Sequence, residues 1–186
     1  MRWDALFADV EAVAAAEGEA ERRLEVADRS RFELGRLRLI DRLQPALQAG
    51  AALKVGLVGH PALRGAVRGL GVDWLLLGQE AGVESLIALD AVQTIQGLTA
   101  ASAEPGWEGL VGARLDLRVV LRRVLRDRSA VTVALTSGDT VSGRLARVGA
   151  DHLEMTAGRG ADHGSDHGAG ADWTVPLNAV VFVQRR

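Results

Sequence analysis

With 186 residues, 48% of them hydrophobic and 25% charged, the chain carries enough apolar surface for a core and is not compositionally disordered. The absence of cysteine excludes disulfides and Cys-ligated zinc and suits a reducing cytoplasm. A formal net charge of −2 excludes global attraction of nucleic acid, so any such binding must come from local charge. From Asp4 to about Arg29 the residues are helix formers, with Leu6, Phe7, Val10, Val13 and Ala14 at helical spacing. This stretch, residues 1–33, holds nine acids and five bases. It reads either as a helix with a solvated acidic face or as an arm that pairs with a partner. Its acidity does not suit a signal peptide, and no apolar run nears the roughly 18 residues of a membrane span. A soluble, cytoplasmic protein without membrane contact is expected.

The rest of the chain aligns with itself. A shift of 78 residues superimposes 36–77 on 114–155 without a gap, and 12 of the 42 pairs are identical, among them Leu43/Leu121, Val55/Val133, Gly65/Gly143, Gly71/Gly149 and Asp73/Asp151. The match resumes at an offset of 88, pairing residues 87–92 with 175–180, so the second copy holds ten more residues. These fall in its Gly/His-rich stretch. Most of the identities are apolar residues at structural spacing or turn residues, which is what duplicated architecture leaves behind.

Each copy reads alike. An amphipathic helix comes first, clearest in Leu117, Val120, Leu121, Val124 and Leu125. The Arg-Leu-x-Leu elements before the helices, 36–39 and 114–117, fit either a strand or a helical lead-in. An alternating strand follows (Val131, Val133 and Leu135 inward), then a turn at Ser137-Gly138-Asp139 and a second strand through Val141, Gly143 and Leu145. In the first copy, Gly59-His60-Pro61 reads as that turn. Gly149-Ala150-Asp151 turns into a third strand, 152–156; Trp173–Leu177 and Val180–Gln184 supply two more. One helix and five short strands with a glycine in the second predict an α+β fold: two tandem helix-plus-five-strand SH3-like barrels behind a helical leader. The expected division is 1–35 for the acidic leader, 36–98 for the first barrel, 99–112 for a linker and 113–186 for the second barrel, whose Gly/His loop is 157–172.

The string from Val131 to Leu145, with Gly138, Asp139 and Gly143, resembles the first motif of the Sm-like family, and Thr94-Ile95-Gln96-Gly97 resembles its second. The resemblance covers 36–97 and 114–186. It implies RNA binding, which in that family is done by rings of six or seven subunits. The copies depart from it in having Gly71-Val72-Asp73-Trp74 and Gly149-Ala150-Asp151-His152 where the family's base-binding loop carries an Asp and an Asn. The second copy also ends without the motif's glycine. The whole chain is similar, too, to a bacterial family sometimes labelled a Fis-type regulator, which would imply DNA-binding regulation, although no helix-turn-helix pattern accompanies it.

Arg114, Arg118, Arg122 and Arg126 recur every four residues, a stripe along one face of a helix over 114–128. A planar guanidinium suits phosphate because it offers two parallel hydrogen bonds; the plainer reading is a solvated basic face. Trp74 and His152 occupy equivalent places early in the third strand. If exposed they could stack on a base; if partly buried they are ordinary strand residues. Asp162, His163, Asp166 and His167 have metal-ligating groups, but nothing in their glycine-rich surroundings preorganises them, so a low-complexity loop is expected rather than a metal site. The duplicated Asp73 and Asp151 sit where an Asp bonds its local backbone. No nucleophile, base and acid come together in a recognisable motif. The expectation is therefore a non-enzymatic binding or regulatory protein without cofactor, whose partner is RNA, another phosphate-bearing molecule, a protein, or a further copy of itself.

Overall fold

A computed structural model describes residues 35–103, 115–157 and 172–185. The chain divides into Met1–Arg38 and Leu39–Arg186; the acidic leader, Arg114, most of the linker and the histidine loop lie outside the described residues. Within Leu39–Arg186 the elements are α1 (Leu39–Gln48), β1 (Ala52–Leu57), β2 (His60–Leu70), β3 (Trp74–Gly78), β4 (Glu84–Ala88), β5 (Val92–Gln96), α2 (Leu117–Asp127), β6 (Ala130–Leu135), β7 (Thr140–Val148), β8 (His152–Ala157), β9 (Trp173–Pro176) and β10 (Val180–Arg185). Leu89–Ala91 and Leu177–Ala179 are single 3₁₀ turns that lead into β5 and β10. Neither 36–38 nor 115–116 is strand, so the helices simply begin at Leu39 and Leu117. Among the described residues no helix is long and apolar enough to cross a membrane.

The two predicted barrels are not what forms. All ten strands join in one antiparallel sheet, in the order β5-β1-β2-β3-β4-β10-β6-β7-β8-β9. Closing a barrel would require the fourth strand of each copy to find a partner in its own copy. Instead β4 pairs with β10, the fifth strand of the other copy, through Phe182↔Ile87, Val183↔Leu86, Gln184↔Ser85 and Arg185↔Glu84. The physical reason for the miss is that alternating burial specifies which face of a strand is inside. It does not say which edge is paired, nor with what.

Inside each half the pairing repeats closely. The register slips between Val67 and Gly69 where β2 meets β3, and between Leu145 and Arg147 where β7 meets β8. It slips again where Leu57 pairs Val92 and where Leu135 pairs Val180. These irregularities fall at positions 78 and 88 residues apart, the offsets of the sequence repeat. A bulge bends and twists a strand locally, so both halves curve at the same places. One aliphatic core contains residues of both, including Leu43, Val55, Leu75 and Ile87 with Leu121, Val133, Leu153 and Val181.

The helices cover the second strand of each half, burying Ile40, Leu43 and Ala46 from α1, and Leu117 and Leu121 from α2. Pro45 lies inside α1 and has no N–H for the Asp41 carbonyl. Ala103 N donates to that carbonyl instead, at 2.8 Å, and Arg42 donates to Thr99 O at 2.7 Å, so the chain leaving β5 is strapped onto α1. Asp116 caps α2 by accepting from Val119 N at 2.9 Å.

Candidate functional site

The junction between the halves is more than a strand pair. Asp73 stands in the turn before β3, and its Oδ1 accepts from Leu117 N, the first amide of α2, at 2.8 Å. Trp74 Nε1 donates to Leu115 O at 2.8 Å. The helix of the second half is therefore started by two consecutive residues of the first half. Gly71 makes the fit possible, because a Cβ there would overlap both the Trp74 indole and the Leu115 carbonyl oxygen. On the other side of β4–β10, His60 begins β2 rather than forming the turn, which is Val58-Gly59. Its Nε2 lies 2.8 Å from Leu135 O, and its ring meets Phe182 edge-on at 5.5 Å. The buried Ser85 hydroxyl accepts from Gln79 at 2.7 Å and from Gln184 at 3.3 Å, one residue from each half.

Two strand edges stay open among the described residues: β5 pairs only with β1, and β9 only with β8. By the repeat offsets β9 corresponds to β4, and β5 corresponds to β10. The open edges are thus the same two surfaces that join at β4–β10. Trp173 on β9 is 37% exposed, unusual for a large apolar residue.

The residues singled out in the sequence separate into two groups. Arg118, Arg122 and Arg126 lie exposed on α2, with Arg123 beside them. Arg118 is committed: Nε donates to Asp116 Oδ2 at 2.9 Å and Nη1 to Ala150 O at 3.3 Å. Arg122 and Arg126 make no hydrogen bond or ion pair with the described residues, although Arg122 is near enough to help lower the Asp116 pKa. Trp74 is buried with its indole N–H used internally, which removes it as a base-stacking platform. His152 is half-buried, with Nδ1 2.8 Å from Asp151 Oδ1 and Nε2 3.8 Å from Glu154 Oε1.

Between the halves lies an open cleft of about 520 Å³, lined by Asp73, Asp90, Leu117, Arg118, Asp151 and Val180 among others. Three carboxylates and one guanidinium line it, a net negative local balance, whereas the outer face of α2 carries the exposed Arg122, Arg123 and Arg126. Burial raises the Asp73 pKa, against the Leu117 amide that lowers it, and the neighbouring Asp116 raises it further. Asp116 itself is lowered: some burial raises it, but the Val119 amide and the Arg118 guanidinium outweigh that. The His152 ring lowers Asp151. Among the described residues no group of three or more His, Asp or Glu is arranged to hold a metal ion.

Asp73 and Asp151 sit at the expected turns, and each bonds its own backbone amide. Asp73 is also a long-range cap, which nothing in its immediate neighbourhood could reveal, since that partner is 44 residues away. No protein-family model and no curated protein matches the chain.

Proposed function

We propose that this chain is a non-enzymatic assembly module whose copies join edge to edge, β9 of one against β5 of the next. The observation that carries the proposal is the β4–β10 junction: one molecule already contains the joint, made by the corresponding strands, and among the described residues their counterparts β9 and β5 each keep an edge without a strand partner. An open edge offers unpaired N–H and C=O groups that add a complementary strand. Because the two edges differ, the contact is head to tail and builds a ring or a filament rather than a closed two-fold dimer. The lack of cysteine supports work in a reducing cytoplasm.

The test is sedimentation velocity over a concentration series. Mass is expected to grow in steps of one 19.7 kDa chain. The repeat offsets place Gln96 of one copy opposite Trp173 of another, as Gln184 stands opposite Ser85. Gln96→Lys with Trp173→Lys therefore sets like charges across the joint and should suppress growth, whereas Gln96→Lys with Trp173→Glu should restore it. A wild-type chain that is monomeric at every concentration contradicts the proposal.

A second reading rests on exposed Arg122 and Arg126: the assembled module presents α2 to RNA or another phosphate-bearing polymer. Repeating a few exposed guanidinium groups along an assembly raises their joint affinity without any base readout. The motif resemblance to the Sm-like family, whose members form rings on RNA, supports this reading from the sequence side.

A further inference from the structure

Within the chain, Asp73 and Trp74 hold the start of α2. Their counterparts at the open end, Asp151 and His152, hold no helix among the described residues. We propose that Asp151 and His152 clasp the start of α1 in a second copy, with the Asp151 carboxylate accepting from the Leu39 amide and His152 taking the place of Trp74. The inference rests on the edge-to-edge reading above, because pairing β9 with β5 of a second copy is what brings α1 of that copy to this turn.

Two independent features point to a second copy as the occupant. Leu39 is 42% exposed, whereas its counterpart Leu117, covered at the internal junction, is 6% exposed. The Asp151 side chain is 89% exposed, with Oδ1 bonded to its own neighbour His152 and the other oxygen available to accept. An exposed helix start thus meets an exposed carboxylate. The same fold at the same offsets shows how they fit.

The experiment measures the association constant by sedimentation velocity for the full chain and three variants. Asp151→Ala should weaken association about fivefold, the weight of one lost cap. Asp151→Asn keeps a capping oxygen and should stay within about twofold. His152→Trp rebuilds the Trp74 arrangement and should tighten association. If the wild-type chain assembles but Asp151→Ala associates equally well and His152→Trp does not tighten it, the clasp is overturned and edge pairing survives. A wild-type chain that never assembles overturns both.

Discussion

Asp73 Oδ1 accepts the backbone amide of Leu117 at 2.8 Å, so a turn in the first half of the chain caps the helix of the second. With Trp74 Nε1 on Leu115 O, it fixes where that helix begins relative to the sheet. Asp73→Ala should lower stability by about 1 kcal/mol through loss of the cap, and Trp74→Phe by a similar ~1 kcal/mol through its lost hydrogen bond. Both residues restrain the same short segment, so the double variant should fall short of the sum. Urea unfolding midpoints of the four proteins decide this.

Asp73 and Asp116 lie at the same helix start but titrate in opposite directions. Asp73 has its pKa raised, chiefly by burial, so the folded chain holds its proton more tightly than the unfolded chain. Its contribution is most favourable in acid and diminishes as pH rises from the ordinary carboxylate value through the raised one. Asp116 is lowered, burial being outweighed by Val119 N and Arg118; its contribution is full above the ordinary value and lost as pH falls through the lowered one. Asp73→Asn should therefore gain on the wild type as pH rises from acid to neutral. Asp116→Asn should be less stable than wild type at neutral pH, and the gap should close in acid. Unfolding midpoints across that pH range show whether the two curves run in opposite senses.

Arg128 ends α2 in the left-handed region at φ 51°, where its counterpart in the repeat, Gly50, ends α1 at φ 55°. A residue with a Cβ is strained there and glycine is not. Arg128→Gly should raise stability by roughly 1 kcal/mol, visible as a higher thermal midpoint. Gly50→Arg should lower it.

The arginine face gives a separate prediction. Arg122→Glu with Arg126→Glu should leave the thermal midpoint nearly unchanged, since both side chains are exposed and unengaged with the described residues. The same pair should weaken binding to an RNA oligonucleotide and flatten its salt dependence. Arg118→Glu is the wrong probe, because that side chain also holds Asp116 and the Ala150 carbonyl. Fluorescence anisotropy across a salt series makes the comparison; no binding of wild type at low salt removes the phosphate reading.

What was legible in the sequence was local. The helix over Leu117, Val120, Leu121, Val124 and Leu125, the turn at Ser137-Gly138-Asp139, and the strands through Val131–Leu135 and Val180–Gln184 all follow from spacing and turn chemistry, and they form close to those bounds. The partner of β4 was not legible, because the apolar pattern of Ser85–Ala88 is satisfied equally by its own copy or by the other. The exposed arginines could be placed on one face from their spacing of four. Trp74 could not be placed, since a Trp at a strand start reads alike whether its indole N–H meets water or a distant carbonyl. The second role of Asp73 was not legible for the same reason: the Leu117 amide is brought to it by the joint between the halves.

The joint itself can be probed covalently, because the chain has no cysteine of its own. Chains carrying Gln96→Cys should be mixed with chains carrying Trp173→Cys and oxidised gently, since residues directly opposite across antiparallel strands lie close enough to form a disulfide. Edge-to-edge assembly predicts mixed dimers containing one chain of each kind, well above the level of either chain with itself. It also predicts little product when Thr174→Cys, on the opposite face of β9, replaces Trp173→Cys. Equal cross-linking at both positions, or no mixed dimer at a concentration where the chains associate, would contradict the account.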